Sequence, residues 1–149
     1  MSHTVDTKKY LDTVVSLLGE GKDSIPVPIE GNSMRPFLKK GDTVYLSPLD
    51  HAPKRGDIVL YTRRDGSYVL HRVAKKEKSG VYLMLGDSQA TLEPVSKDRV
   101  LAEATSAVRI GKHVNKKSPV WFFFRWIYPQ NTKMRVLLSR IARIFNTAD

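Results

Sequence analysis

The stretch Gly31-Asn32-Ser33-Met34-Arg35-Pro36 places a serine hydroxyl among residues that form turns. The apolar run 25–29 precedes it, and Gly41-Asp42 leads from it into a second apolar run at 43–46. Glycine, asparagine and proline are typical of the connections between regular elements. The sequence therefore predicts that Ser33 lies on a loop between two strands, where its hydroxyl can be presented to a substrate. The alternative is a serine that hydrogen-bonds only its own turn.

A second candidate for chemistry is His71, the only one of the four histidines that is predicted to lie in a strand. It belongs to the branched and aromatic run Tyr68-Val69-Leu70-His71-Arg72-Val73. An unperturbed imidazole has a pKa of about 6.5 and is therefore suited to proton transfer at neutral pH. A histidine in a strand is more often structural than catalytic, so this residue alone does not establish a site.

Five short motifs follow one another along the chain, namely Ser-Met-x-Pro at 33–36, Gly-Asp at 41–42, Arg-Gly-Asp-Ile-Val at 55–59, His-Arg-Val at 71–73 and Gly-Asp at 86–87. Their order resembles the type I signal peptidases and the related LexA-type self-cleaving proteases, over roughly residues 25–110. Bacterial leader peptidases carry lysine at the position of His71. Signal peptidases of the endoplasmic reticulum, of archaea and of some spore-formers carry histidine there, so the resemblance is to this histidine-type group.

The resemblance implies a serine endopeptidase with Ser33 as nucleophile, His71 as base and Asp87 as the group that orients the imidazole. Met34 and Pro36 are expected to bind the substrate, although Met34 can instead pack beneath the serine. The implied substrate is an extended leader or signal segment, added along a strand edge and recognised by small side chains near the cut. No metal site or cofactor is expected.

Two features depart from the family pattern and leave a second hypothesis open. Gly31 stands two residues before the serine, where many signal peptidases have a hydroxyl that donates to the oxyanion. The N-terminal membrane anchor of ordinary signal peptidases is also missing from this sequence. The alternative is therefore a catalytically weak or inactive peptide-binding or regulatory module of the same fold.

The arrangement of short runs predicts a mostly β fold, a curled antiparallel body of the signal peptidase/LexA type with short helices at both ends. Residues 6–19 have apolar side chains at helical spacing, with Asp6 as a possible cap. Strands are predicted at 44–46, 58–61, 68–73, 81–85 and 107–110, and Asp65-Gly66 predicts a hairpin turn. We expect three parts, a helix and linker at 1–24, the β catalytic domain at 25–118 and a basic aromatic extension at 119–149.

Composition narrows the classes of protein further. The absence of cysteine excludes disulfides and thiolate metal sites. No apolar run reaches the roughly 18 residues of a membrane-spanning helix. The N-terminus does not have the basic and apolar regions of a secretory signal. These features predict a cytoplasmic location.

The net charge of +10 is concentrated at the C-terminal end of the chain. Residues 109–149 hold 9 Lys+Arg and one acidic residue, against 16 and 14 in residues 1–108. Residues 119–129 also contain both tryptophans, and a helix is predicted from Asn131 to about Phe145. Its apolar face would hold Met134, Leu137, Leu138, Ile141, Ile144 and Phe145, and its other face Arg135, Arg140 and Arg143.

This pattern is typical of a helix at a membrane interface. We expect residues 119–146 to contact an anionic membrane surface peripherally, at its inner face. The alternative is an ordinary helix whose apolar face covers the β body. Nucleic-acid binding is less favoured, because the basic residues stand beside large apolar groups.

Overall fold

The structure, a computed structural model, describes residues 2–127 and residues 133, 134, 136, 137, 140, 141 and 144. Helix α1 spans Ser2–Gly19. Eight strands follow, β1 Ile25–Pro28, β2 Thr43–Pro48, β3 Ile58–Thr62, β4 Tyr68–Lys76, β5 Val81–Leu85, β6 Glu93–Ser96, β7 Val100–Arg109 and β8 Lys112–Asn115. A 3-10 turn, Lys97–Arg99, joins β6 to β7. Helix α2, Pro119–Phe122, continues into a π-helical turn, Phe123–Ile127.

The strands form one sheet in the order β1-β2-β7-β3-β4-β5-β6, with β8 also paired to β7. All seven pairings are antiparallel. The register shifts between β2 and β7, between β3 and β7 and between β4 and β5. Such irregularities bend a strand and increase its twist. The mostly β, curled antiparallel fold predicted from the sequence is confirmed.

Alternation along the strands divides the buried side chains between two apolar clusters. Successive residues of a strand point to opposite faces, so Ile58 and Leu60 of β3 belong to a larger cluster and Val59 and Tyr61 to a smaller one. Helix α1 covers the larger cluster with a few apolar residues, Val14 among them. The candidate site lies between helix α1 and the sheet.

The predicted elements agree with the structure except at their ends. Helix α1 begins at Ser2, four residues before the predicted cap at Asp6, which lies inside the helix. Each predicted strand is present, and the Asp65-Gly66 turn joins β3 to β4 with a glycine φ of 82°. Strands β6 and β8 were not predicted individually. Asn131 and Phe145, the predicted ends of the last helix, lie outside the described residues.

Residues 119–127 are fastened to the body by two buried aromatic side chains and an ion pair. Trp121 and Phe124 are 1% and 8% exposed, and both rings contact the ring of Phe37, at centroid distances of 5.2 and 5.0 Å. The guanidinium of Arg125 lies 2.9 Å from the buried carboxylate of Asp57. Within the part of the chain that the structure describes, no helix is both long enough and apolar enough to cross a membrane.

Candidate active site

Ser33 and His71 are brought together although 38 positions separate them. Ser33 lies on the loop between β1 and β2, as predicted, and its Oγ is 3.1 Å from Nε2 of His71. His71 belongs to β4 and is only 3% exposed. A serine oxygen within hydrogen-bond reach of an imidazole nitrogen is the geometry that activates a nucleophile. The catalytic role of the pair stays a prediction.

The imidazole of His71 is held in its neutral form. Burial lowers its pKa to about 4, because removal from water penalises the charged ring. Of the nearby charges, the carboxylates of Glu93 and Asp87 raise the pKa and the guanidinium of Arg63 lowers it. At neutral pH the ring therefore has a free lone pair with which to accept a proton.

The other ring nitrogen of His71 contacts a chain of three polar side chains. Its Nδ1 lies 3.1 Å from the hydroxyl of Tyr61, which donates a hydrogen bond of 2.9 Å to Oε2 of Glu93. Arg63 donates to both oxygens of that carboxylate, at 2.8 and 2.9 Å. Burial and the Glu93 carboxylate raise the pKa of Tyr61 well above its usual value. The Arg63 guanidinium lowers the pKa of Glu93.

Strand register explains why Tyr61 reaches His71. Tyr61 pairs with Val69 and His71 pairs with Val59, so the tyrosine and the histidine are diagonal neighbours on one face of the β3–β4 hairpin. Glu93 begins β6, two strands further along the sheet from β4. The tyrosine side chain is therefore the bridge between the histidine and this carboxylate.

The orienting role predicted for Asp87 stays a prediction. Both ring nitrogens of His71 have other partners, and the carboxylate of Asp87 receives two hydrogen bonds of 2.8 Å from Arg72. Arg72 also donates to the carbonyl of Gly56 at 2.9 Å. The Asp87 carboxylate also lies close enough to His71 for its charge to raise the pKa of the imidazole.

The Gly86-Asp87-Ser88 motif supports the loop at residues 29–42, which carries the proposed nucleophile Ser33 and is called the nucleophile loop. The backbone N–H and the hydroxyl of Ser88 donate to the carbonyl of Ser33, at 2.9 and 3.0 Å. A Cβ atom at Gly86 would lie 2.6 Å from that same carbonyl oxygen, closer than van der Waals contact allows. A glycine is therefore required at this close approach, which fixes where Ser33 stands.

A cleft of about 410 Å³ opens beside Ser33 and His71. Its walls come from α1, β1, the nucleophile loop and β4. Met34 is 3% exposed, packs in the larger apolar cluster and also lines the cleft, and its contact with a substrate stays a prediction. Pro36 is not among the described residues that line it, and its carbonyl accepts a hydrogen bond from Arg109.

Gly31 lines the cleft next to the serine, and open space surrounds the position where its Cβ would be. No side-chain hydroxyl is supplied there. The backbone N–H of Ser33 is then the donor that the sequence provides for a developing oxyanion.

Among the described residues, Asp50, His51 and Glu103 form a cluster with the spacing of metal ligands. It does not line the cleft, and Glu103 is already ion-paired with Lys116.

The sequence did not lead us to predict Tyr61 and Glu93 as neighbours of His71. The hairpin predicted by Asp65-Gly66 was a usable signal for Tyr61, because hairpin register determines which residues of β3 lie near His71. Glu93 carried no such signal, since it stands in a polar segment where no strand was predicted.

The model of a family described as Peptidase S24-like matches residues 2–111, which cover α1 and the β body through β7. No curated protein matches the chain.

Proposed function

This chain belongs to the Peptidase S24-like family, and on that premise we propose that it is a serine endopeptidase with Ser33 as nucleophile and His71 as general base. The observation that carries the proposal is the 3.1 Å contact between Ser33 Oγ and Nε2 of a neutral, buried imidazole at the wall of a cleft.

The proposed reaction proceeds in two halves. Nε2 of His71 takes the hydroxyl proton while Oγ of Ser33 attacks the carbonyl carbon of the scissile peptide bond. The tetrahedral intermediate collapses to an ester on Ser33, and the proton passes from His71 to the departing amine. A water molecule, deprotonated by His71, then attacks the ester and releases the carboxylate product, with the serine hydroxyl restored.

The free edge of β1 supports an extended peptide as the substrate. The N–H of Ile29 donates to the backbone carbonyl of Asp42, and the carbonyl of Ile29 accepts from the N–H of Gly41. The backbone N–H and C=O groups of the odd-numbered residues of β1 therefore point toward β2. The backbone carbonyls of Pro26 and Pro28 therefore point away from β2, and Pro28 also lines the cleft. Proline has no N–H, so this edge presents carbonyl acceptors, to which the N–H groups of an added strand can donate.

Tyr10 of α1 uses one of these acceptors in the absence of a peptide. Its hydroxyl donates to the carbonyl of Pro26, and its side chain lines the cleft. A peptide that pairs with the whole of β1 would have to displace this hydroxyl. We accordingly propose a leader or signal-type segment with small side chains near the cut, for which a cleft of this volume has room.

We also propose that the C-terminal extension brings the domain to an anionic membrane surface. Phe122, Trp126 and Ile127 are 53%, 55% and 59% exposed, while their neighbours hold the segment to the body. Four of the described apolar residues beyond them are also exposed, namely Met134, Leu137, Ile141 and Ile144. The excess of lysine and arginine in residues 109–149 complements the anionic lipids of the cytoplasmic leaflet.

Cleavage of a peptide mixture tests the proposed activity. We expect the parent protein to cut extended peptides at small residues and the Ser33→Ala variant to leave them intact. Ser79→Ala is the matched control, because Ser79 lies in the turn between β4 and β5, outside the cleft lining. Equal cleavage by the parent and the Ser33→Ala variant would refute the assignment. Peptide binding without cleavage by the parent would favour the regulatory module instead.

A further inference from the structure

The group that contacts Nδ1 of His71 influences which of the two ring nitrogens carries the proton. An imidazole can act as base at Nε2 only if its proton is on Nδ1, so something must hold that tautomer. In serine hydrolases this is the task of a carboxylate bonded to Nδ1–H. Here the group at Nδ1 is the hydroxyl of Tyr61, at 3.1 Å.

We propose that Tyr61, with its proton committed to Glu93, is the positioning residue that keeps the His71 proton on Nδ1 and leaves Nε2 free to face Ser33. The proposal deepens the serine peptidase assignment and rests on it. Tyr61 acts through the imidazole and touches no reacting atom. Glu93 and Arg63 act through the tyrosine.

The hydrogen-bond chain has only one self-consistent direction. A carboxylate accepts and cannot donate, so the 2.9 Å contact between the Tyr61 hydroxyl and Glu93 Oε2 must use the tyrosine proton. The phenol oxygen is then an acceptor toward His71, and Nδ1 must supply the proton of that contact. The opposite direction would place the tyrosine oxygen and a carboxylate oxygen together as two acceptors, which is unfavourable.

Arg63 holds the carboxylate in the state that this direction needs. It donates to both oxygens of Glu93, and such bidentate pairing stabilises the ionised form. The carboxylate is partly exposed and the tyrosine is buried. Glu93 is partly exposed and does not contact the buried imidazole directly. It therefore orients the imidazole through the hydroxyl of Tyr61.

The tautomer can be read directly by ¹⁵N NMR of His71 in the full-length protein at pH 7. We expect the chemical shifts of a protonated Nδ1 and an unprotonated Nε2. In Tyr61→Phe the acceptor is lost, and in Glu93→Ala the tyrosine proton is released to donate toward Nδ1. Both variants should therefore move the population toward the Nε2–H tautomer. Tyr82→Phe is the matched control, since Tyr82 is a buried tyrosine of the same small cluster without a role at the site, and it should keep the parent tautomer.

Kinetics provide the second readout. With a cleaved peptide, we expect kcat of Tyr61→Phe and Glu93→Ala to fall on the order of 10²-fold with little change in KM, because general-base catalysis is lost while the cleft is intact. An Nε2–H tautomer in the parent, or a parent-like tautomer in both variants, would overturn the proposal. Failure of the parent to cleave any peptide, with the Nδ1–H tautomer present, would instead overturn the peptidase assignment and leave the positioning role standing. If Tyr61→Phe does not fold, Glu93→Ala on the partly exposed carboxylate decides alone.

Discussion

Among single residues, the proposed reaction depends most on His71, whose imidazole stays neutral at pH values well below the ordinary histidine pKa. Burial is the main cause, and the opposing charges of Glu93 and Arg63 act on it with opposite signs. A base with this pKa is already deprotonated across the physiological range. Its weakness as a base is the cost of being buried, so the protein depends on accurate placement of Ser33 rather than on high basicity.

The lowered pKa of His71 predicts an acid-tolerant enzyme. We expect kcat/KM to stay level from pH 8 to about pH 5 and to fall only as the ring is protonated near pH 4. An ordinary histidine would cause the fall at about pH 6.5. A pH profile of peptide cleavage checks this, and a half-loss of kcat/KM near pH 6.5 would contradict the neutral, buried imidazole.

Stability should follow the same titration. The unfolded state binds a proton at His71 below about pH 6.5 and the folded state only near pH 4, so the free energy of unfolding falls as pH decreases between these values. In His71→Gln this part of the pH dependence should disappear. Urea unfolding at several pH values measures it, with the parent protein as control.

The roles at the site were predictable from the sequence only where motif and local structure agreed. The loop position of Ser33 and the strand position of His71 both follow from local residue patterns. The orienting role of Asp87 came from the motif resemblance, whereas the two hydrogen bonds that its carboxylate receives from Arg72 had no signal in the local sequence. Glu93 could not be found, because its contact with His71 passes through the side chain of Tyr61 and across separate strands.

At the scale of elements, β4 joins the candidate catalytic machinery to its support. His71 on one face contacts the nucleophile, and Arg72 on the other face ties the loops of Gly56 and Asp87 to the strand. The second loop also hydrogen-bonds the carbonyl of Ser33. The position of the serine relative to the histidine is therefore set by the same buried ion pair that fastens the loops.

The Arg72–Asp87 pair predicts a large loss of stability when one partner is removed. Both side chains are fully buried, and an unpaired buried charge costs about 3–5 kcal/mol. We expect Asp87→Asn to lower the free energy of unfolding by about that amount. Replacement of both, as Arg72→Met with Asp87→Leu, should cost less than the two single changes together. Glu77→Gln, which breaks the exposed Lys75 pair, should change stability by less than about 1 kcal/mol.

Chemical denaturation of these variants decides the matter. A loss for Asp87→Asn no larger than that of Glu77→Gln would show that the pair does not support the fold. The comparison also separates this support from an orienting role, because a stability loss needs no involvement of His71.

The predicted strands were those with dense branched and aromatic residues, such as 58–61 and 81–85. Strands β6 and β8 are four residues long and mostly polar, so their sequences lack the alternation that identifies a strand. Strand β6 pairs with the free edge of β5, and β8 pairs with residues 106–109 of β7, where β7 extends beyond β3. Such pairing is decided by tertiary structure and leaves little trace in local sequence.

At the scale of the whole molecule, the start of the basic extension belongs to the core. Trp121 and Phe124 pack against Phe37, four residues after Ser33 along the nucleophile loop. Buried and exposed aromatic residues lie on different sides of this helical segment. If the exposed side of this segment binds a membrane, the packing of Trp121 and Phe124 on Phe37 would fix the orientation of the cleft relative to that membrane.

The membrane proposal predicts that two exposed side chains are needed for vesicle binding. Trp126→Ser with Ile127→Ser should weaken co-sedimentation with anionic vesicles at least about tenfold, because each large apolar side chain contributes about 1.5–3 kcal/mol when buried. Leu92→Ser is the matched control, since Leu92 is 43% exposed and lies outside the extension. Added salt should weaken binding further, because lysine and arginine contribute about 1 kcal/mol each near such a surface. Equal binding by the double variant and the control would contradict the membrane role.

The most direct test of the central claim is covalent labelling by a fluorophosphonate, followed by mass spectrometry to locate the modified residue. The account predicts one adduct per chain on Ser33 of the parent protein, formed rapidly at pH 7. It predicts none in Ser33→Ala and a strongly slowed reaction in His71→Gln, which keeps the loop but lacks the base. Labelling of Ser33 that does not depend on His71, or no labelling of Ser33 in the folded parent, would contradict a serine activated by this histidine.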